Sequence, residues 1–161
     1  MANENGAPTT DPETHLIPLG VKLQKAMELR AAGDLVKAHK LLREILLVDP
    51  RLAEPRLELA HIAAGREDWD EAEEQARAAV ELLQNGGQWT AGIPPLKLQS
   101  FAVNLLGEVI YRSLEGGDLV FRDKAKFDLR WNEAAALFAA ALQLDSENED
   151  ARYWTSHVRS R

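Results

Sequence analysis

The chain contains no cysteine in 161 residues. That removes disulfide frameworks, thiolate nucleophiles and Cys-based metal or iron–sulfur sites together, and leaves the compartment open. It also lacks any run of the ~20 consecutive apolar residues that a membrane-spanning helix needs. Positive charge is scarce: 19 Lys and Arg stand against 26 Asp and Glu, a net charge of −7 that repels a phosphate backbone or an anionic bilayer. Neither nucleic acid nor membrane insertion is therefore expected. Met1–Thr14 is polar and is expected to be neither a secretory signal nor a lipid-attachment site, so the default location is cytoplasmic. What remains is 45% apolar and 28% charged, a globular composition whose length fits one core.

Residues 1–18 hold Pro8, Pro12 and Pro18 with no helical periodicity, which predicts a flexible tail. From Val21 onward, apolar residues recur at three- and four-residue steps: Leu23, Met27 and Ala31, then Leu35, Ala38, Leu41, Leu42, Ile45 and Leu46. This is the mark of amphipathic helices. Gly33-Asp34 separates them, glycine supplying a left-handed end and aspartate a cap for the next helix. The unit is a helical hairpin. Thirty-four residues after Ala26, Asp34 and Ala38 stand Ala60, Asp68 and Ala72, and Pro50 follows the second helix. That period belongs to one architecture, and the segment resembles the tetratricopeptide repeat family. Trp69-Asp70-Glu71-Ala72 is echoed as Trp131-Asn132-Glu133-Ala134, with Leu106-Gly107 and Ile110 in the places of the family's first-helix motif.

The resemblance implies an all-α, right-handed α-solenoid of about three helical hairpins over 19–161. The repeats fall at about 19–52, 53–84 and 97–147, and a C-terminal capping helix at 148–161 closes the stack. Insertions occupy 85–96 and 114–130. The first, rich in Gly and Pro, predicts a loop. The second admits two readings: one helix over 118–143, overhanging its neighbours, or an extended stretch in which Ala125, Phe127, Leu129 and Trp131 alternate with charged residues. The helix is favoured.

No catalytic or cofactor constellation is apparent. His15, His39, His61 and His157 lie far apart, and only His15 has a carboxylate, Asp11, four residues away. Glu71, Glu73 and Glu74 beside Arg77 read as a solvated helix face. Asn85-Gly86-Gly87 lacks the Lys-Ser/Thr of a phosphate cradle. The expectation is a protein that is not an enzyme and takes neither cofactor nor metal.

Binding has positive support from the resemblance. Family members line a concave groove with first-helix residues, here Leu23, Met27 and Arg30, then Glu54, Leu57 and His61, then Phe101, Asn104, Glu108 and Tyr111. Leu23 and Met27 replace the Lys and Asn with which some relatives hold chaperone carboxylates, so that specialisation is not expected. Trp89, Phe121, Phe127 and Leu129 fall in the insertions and either fold back or form a second surface. The implied function is an adaptor or scaffold holding a protein or peptide segment. The alternatives are a small cytoplasmic secretion-type chaperone for an exported client, or a structural subunit that self-associates through the third-repeat insertion.

Overall fold

A computed structural model describes residues 16–159. Eight helices follow one another: α1 (Leu16–Ala31), α2 (Leu35–Val48), α3 (Ala53–Gly65), α4 (Trp69–Gln84), α5 (Pro95–Glu115), α6 (Leu119–Arg122), α7 (Lys124–Leu144) and α8 (Glu149–Arg159). No strand occurs among the described residues. Helices α1 and α2, α3 and α4, and α5 and α7 form three hairpins stacked in chain order, and α8 packs mainly on α7.

The turns explain the first two pairs. The Asp34 carboxylate accepts from the Lys37 N–H at 3.2 Å, and Asp68 accepts from the Glu71 N–H at 3.3 Å. In each turn the aspartate N–H reaches back five residues, Asp34 to the Leu29 carbonyl and Asp68 to the Ala63 carbonyl. This is the Schellman closure, which needs a left-handed residue just before it. Gly33 (φ 85) supplies that residue in the first turn and Glu67 (φ 58) in the second.

Close approach is bought with small side chains: Ala38, Ala60, Ala72, Ala76, Ala79, Ala134 and Ala141 are fully buried. Gly107 is the tightest case, because a Cβ there would lie 2.8 Å from the Phe138 ring. Helix α3 is the keystone. Its Leu59 and Ile62 join the core of the first hairpin, while Ala53, Leu57, Ala60 and Ala63 join the core shared by α4, α5, α7 and α8. At the far end Asn148 caps α8 through the Ala151 N–H at 3.0 Å. Its amide also donates to Ser100 Oγ, which in turn donates to the Ala141 carbonyl.

Three boundaries depart from the sequence reading. Helix α1 begins at Leu16, so 16–18 are helical and Pro18 sits in the first turn, where its missing N–H costs nothing. The rest of the expected tail, with Asp11 and His15, lies outside the described residues. The single helix expected over 118–143 is divided. Asp123 is extended (φ −152), ends the one-turn α6, and caps α7 by accepting from the Lys126 N–H at 2.9 Å. Nor does α7 overhang alone, because α5 has lengthened with it to 21 residues, about 32 Å at ~1.5 Å per residue. Helix pairs, matching turns and buried alanines together make the chain an all-α stack of three helical hairpins, the third enlarged.

Candidate functional site

The first helices α1, α3 and α5 present one face of the stack, and its two halves differ. Towards the starts of α1 and α3 the face is filled by the chain itself. The 85–94 segment leaves α4 through Gly87, whose N–H donates to the Leu82 carbonyl at 2.7 Å. A Cβ at Gly87 would stand 2.8 Å from that same oxygen, so only glycine fits. The segment then folds over α3. One carboxylate oxygen of Glu54, Oε1, accepts three hydrogen bonds: from the Trp89 N–H at 2.9 Å, the Thr90 N–H at 2.8 Å and the Thr90 hydroxyl at 3.0 Å. The second oxygen is buried and meets no donor among the described residues. The Trp89 ring packs into the core of the first hairpin, over Gly20 of α1. Gln88 ties the segment to itself, its amide donating to the Thr90 and Ile93 carbonyls, both at 2.7 Å.

Towards the helix ends the face is open. Arg30 of α1 pairs with Glu58 of α3 at 2.6 Å, and Arg112 pairs with Glu108 along α5 at 2.8 Å. His61 stands between these pairs and lines a pocket of about 190 Å³ with Leu105, Glu108 and Arg112. Its ring is reachable by solvent, yet the surrounding walls strip away bulk water. Desolvation therefore pushes its pKa below the usual imidazole value, a fall opposed by Glu58 and Glu108 and aided by Arg30. At neutral pH the ring is uncharged and can both donate and accept. Two large apolar side chains flank this half, Met27 at 40% and Phe101 at 38% exposure.

The ten residues expected in the groove are thus divided. Arg30, His61 and Glu108 lie on the open half, while Met27 lines a cleft beside Trp89 and Thr90, and Phe101 is exposed in the first third of α5. Glu54 lies beneath the 85–94 segment. Leu23, Leu57 and Asn104 are buried at the base of the helices, at 5%, 9% and 5% exposure. Tyr111 is not on the face: it is fully buried, with its ring 5.1 Å from both Trp131 and Trp154. The cause is its spacing, four residues after Gly107, which places it on the side of α5 that meets α7. Glu58, Leu105 and Arg112 were missed by the position-by-position transfer. The i+4 and i+7 steps from Glu54 and Phe101 would have found Glu58, His61, Leu105 and Glu108 on shared stripes.

The four insertion residues also divide. Trp89 is half-buried in the first core, and Phe127 stacks on Trp131 with centroids 5.9 Å apart. Phe121 and Leu129 stay in water at 88% and 70% exposure. The acidic cluster is not a simply solvated face. Glu71 reaches back to Arg43 and His39 of α2, and Glu73 reaches forward to Arg130 of α7. Among the described residues, no three His, Asp or Glu side chains converge as a metal-ligand set, and no helix is long and apolar enough to cross a membrane.

No family model matches the chain, and no curated protein matches it. Among solved structures it is similar to YrrB, described as a TPR protein with an unusual peptide-binding site. The identity is 16% and the TM-score 0.38, over 86% of this chain and 75% of that one.

Proposed function

We propose that this chain is a non-catalytic adaptor that holds a segment of another protein against the face of its first helices, which forms the concave side of the stack. A cytoplasmic setting belongs to the same proposal. The observation that carries it is the open half of the face: exposed Met27 and Phe101 flank a polar centre of Arg30, Glu58, His61, Glu108 and Arg112. Apolar contact of this kind supplies affinity, and paired charges that can re-pair across an interface supply direction. The ion pairs satisfy themselves in the free chain, so the partner's charges compete for partners already in place, and its apolar residues carry most of the energy.

The test is affinity capture from native cells with cross-linking, comparing the wild type with Met27→Glu and Phe101→Glu. Each charge should lower capture at least about tenfold, the cost of burying an unpaired carboxylate, while circular dichroism stays helical. Capture that ignores both changes rejects this face as the receptor.

A second contact, made in a larger assembly or with a second copy, is supported by Phe121 and Leu129, which are large, apolar and exposed on the enlarged hairpin. Concentration-dependent sedimentation abolished by Phe121→Ser with Leu129→Ser would favour that contact, and unaltered monomeric sedimentation in the wild type would discard self-association.

A further inference from the structure

The filled half of the face has the form of a binding site with its occupant in place. We propose that the 85–94 segment is an intrachain stand-in for the partner, and that the starts of α1 and α3 recognise a turned segment presenting an aromatic residue followed by Thr or Ser. This rests on the adaptor reading of the same face and names the partner's chemistry.

The occupant's contacts define the recognition. A turned backbone aims two successive N–H groups, from Trp89 and Thr90, at a single carboxylate oxygen, and the Thr90 hydroxyl adds a third donor. The aromatic ring goes where α1 has no side chain, over Gly20, whose absent Cβ would stand 3.7 Å from it. A carboxylate reading consecutive N–H groups, with a flat slot for one ring, is a peptide-recognition device rather than a helix-packing contact.

The segment also has the build of something that can leave. It is bounded by Gly86 and Gly87 on one side and by Gly92, Pro94 and Pro95 on the other. Its apolar anchors are two half-buried side chains, Ile93 against the α3–α4–α5 core and Trp89 against the first-hairpin core. Glu54 is used at one oxygen only, and the other is enclosed with no donor among the described residues. A partner segment bringing one more N–H or a cationic side chain would satisfy both oxygens, which the tethered segment does not. Held on a short tether, the segment competes at an effective concentration on the order of millimolar. Only a partner with these additional contacts displaces it.

The experiment replaces Gln88–Ile93 by a Gly/Ser stretch of equal length and titrates the protein with a labelled synthetic peptide spanning residues 85–95 of this chain, read by fluorescence anisotropy. The vacated protein should bind the peptide at least about tenfold more tightly than the intact chain, the factor lost to tethered competition. Glu54→Ala in the vacated background, or alanine in place of the tryptophan in the peptide, should abolish binding. Should the replaced chain lose its helical signal, Thr90→Pro serves instead. It removes one N–H and the hydroxyl from the segment alone, and should raise peptide binding severalfold. Absent binding by a folded vacated chain, or binding unaffected by Glu54→Ala, overturns the proposal. The adaptor reading fails separately, through Phe101, which lies outside the cleft that Met27 shares with the segment.

Discussion

The second and third hairpins meet their partners by opposite means. In the second, α3 faces α4 across Ala72, Ala76 and Ala79, and the helices stay short, at 13 and 16 residues. In the third, buried Ala134 and Ala141 are joined by one large ring against one missing side chain, Phe138 over Gly107, along helices of 21 residues each. Around that ring gather Trp154, stacked at 5.6 Å, and Tyr111, which links Trp131 to Trp154. Alanine contacts spread the packing over many equivalent places, whereas the ring concentrates it in one. Damage should accordingly be graded in the second hairpin and abrupt in the third.

The largest expected effect follows directly. Phe138→Ala removes a fully buried ring that rigid neighbours cannot fill, and should cost about 3–5 kcal/mol. Ala76→Gly in the second hairpin should cost only about 1 kcal/mol, the propensity difference. Urea unfolding followed by circular dichroism measures both. Equal losses would erase the contrast between the hairpins.

Next in size is Gly107→Ala, expected to cost about 1–3 kcal/mol because the new methyl meets a ring that has nowhere to retreat. The sharper test is the double variant. With Phe138 already cut to alanine the methyl has room, so the second change should cost little, and the cycle should show a coupling above about 1 kcal/mol. Additive losses would mean that Gly107 serves helix α5 by some route other than the ring.

How far the sequence reveals all this depends on the range of the interaction. Paired alanines at a 34-residue interval, Asp34 and Asp68 as caps, and the Gly33 turn are local signals, and they foretell the hairpins closely. The break at Asp123 is less legible: the apolar stripe from Val120 to Ala141 runs straight through it, and a stripe does not record the one extended residue that ends α6. Least legible is the filled groove. Glu54 and Trp89 are 35 residues apart, and nothing periodic joins a loop to the helix it covers. The only hint is the tryptophan itself, too large to leave in water between glycines and prolines. Glu54 was readable as a face residue, but its state under the loop was not.

The first two turns permit a finer comparison, since both close in the same way and differ at the left-handed residue. Gly33→Ala meets no atom within 4 Å, so its whole effect is backbone strain, about 1 kcal/mol lost. Glu67→Gly releases the same strain and should gain up to about 0.5 kcal/mol after the added freedom of the unfolded chain is deducted. For a chain of this size 1 kcal/mol moves Tm by roughly 2–4 °C, within reach of calorimetry. A loss on Glu67→Gly would show that the Glu67 side chain contributes more than its φ costs.

The smallest expected effect lies where the second and third hairpins join. Glu73 of α4 is bound by Arg130 of α7, and Arg77 bridges Glu73 to Glu133. The Arg130 hydrogen bonds, opposed by partial burial and helped by Arg77, hold the Glu73 carboxyl below its ordinary range. A carboxyl whose pKa is lower folded than unfolded binds fewer protons in the native state, so its contribution is present above the unfolded value of about 4.3 and fades as pH falls through the folded value. Both side chains are roughly a fifth exposed, and water screens such pairs to about 0.2–1 kcal/mol. Glu73→Gln should therefore unfold more easily than the wild type at pH 7, and the difference should shrink as pH falls below about 4.3. It should shrink likewise in Arg130→Met, where the partner is already gone. A difference that is constant over this range would mean that α4 and α7 are joined by their apolar contacts alone, with the charges merely resting on the seam.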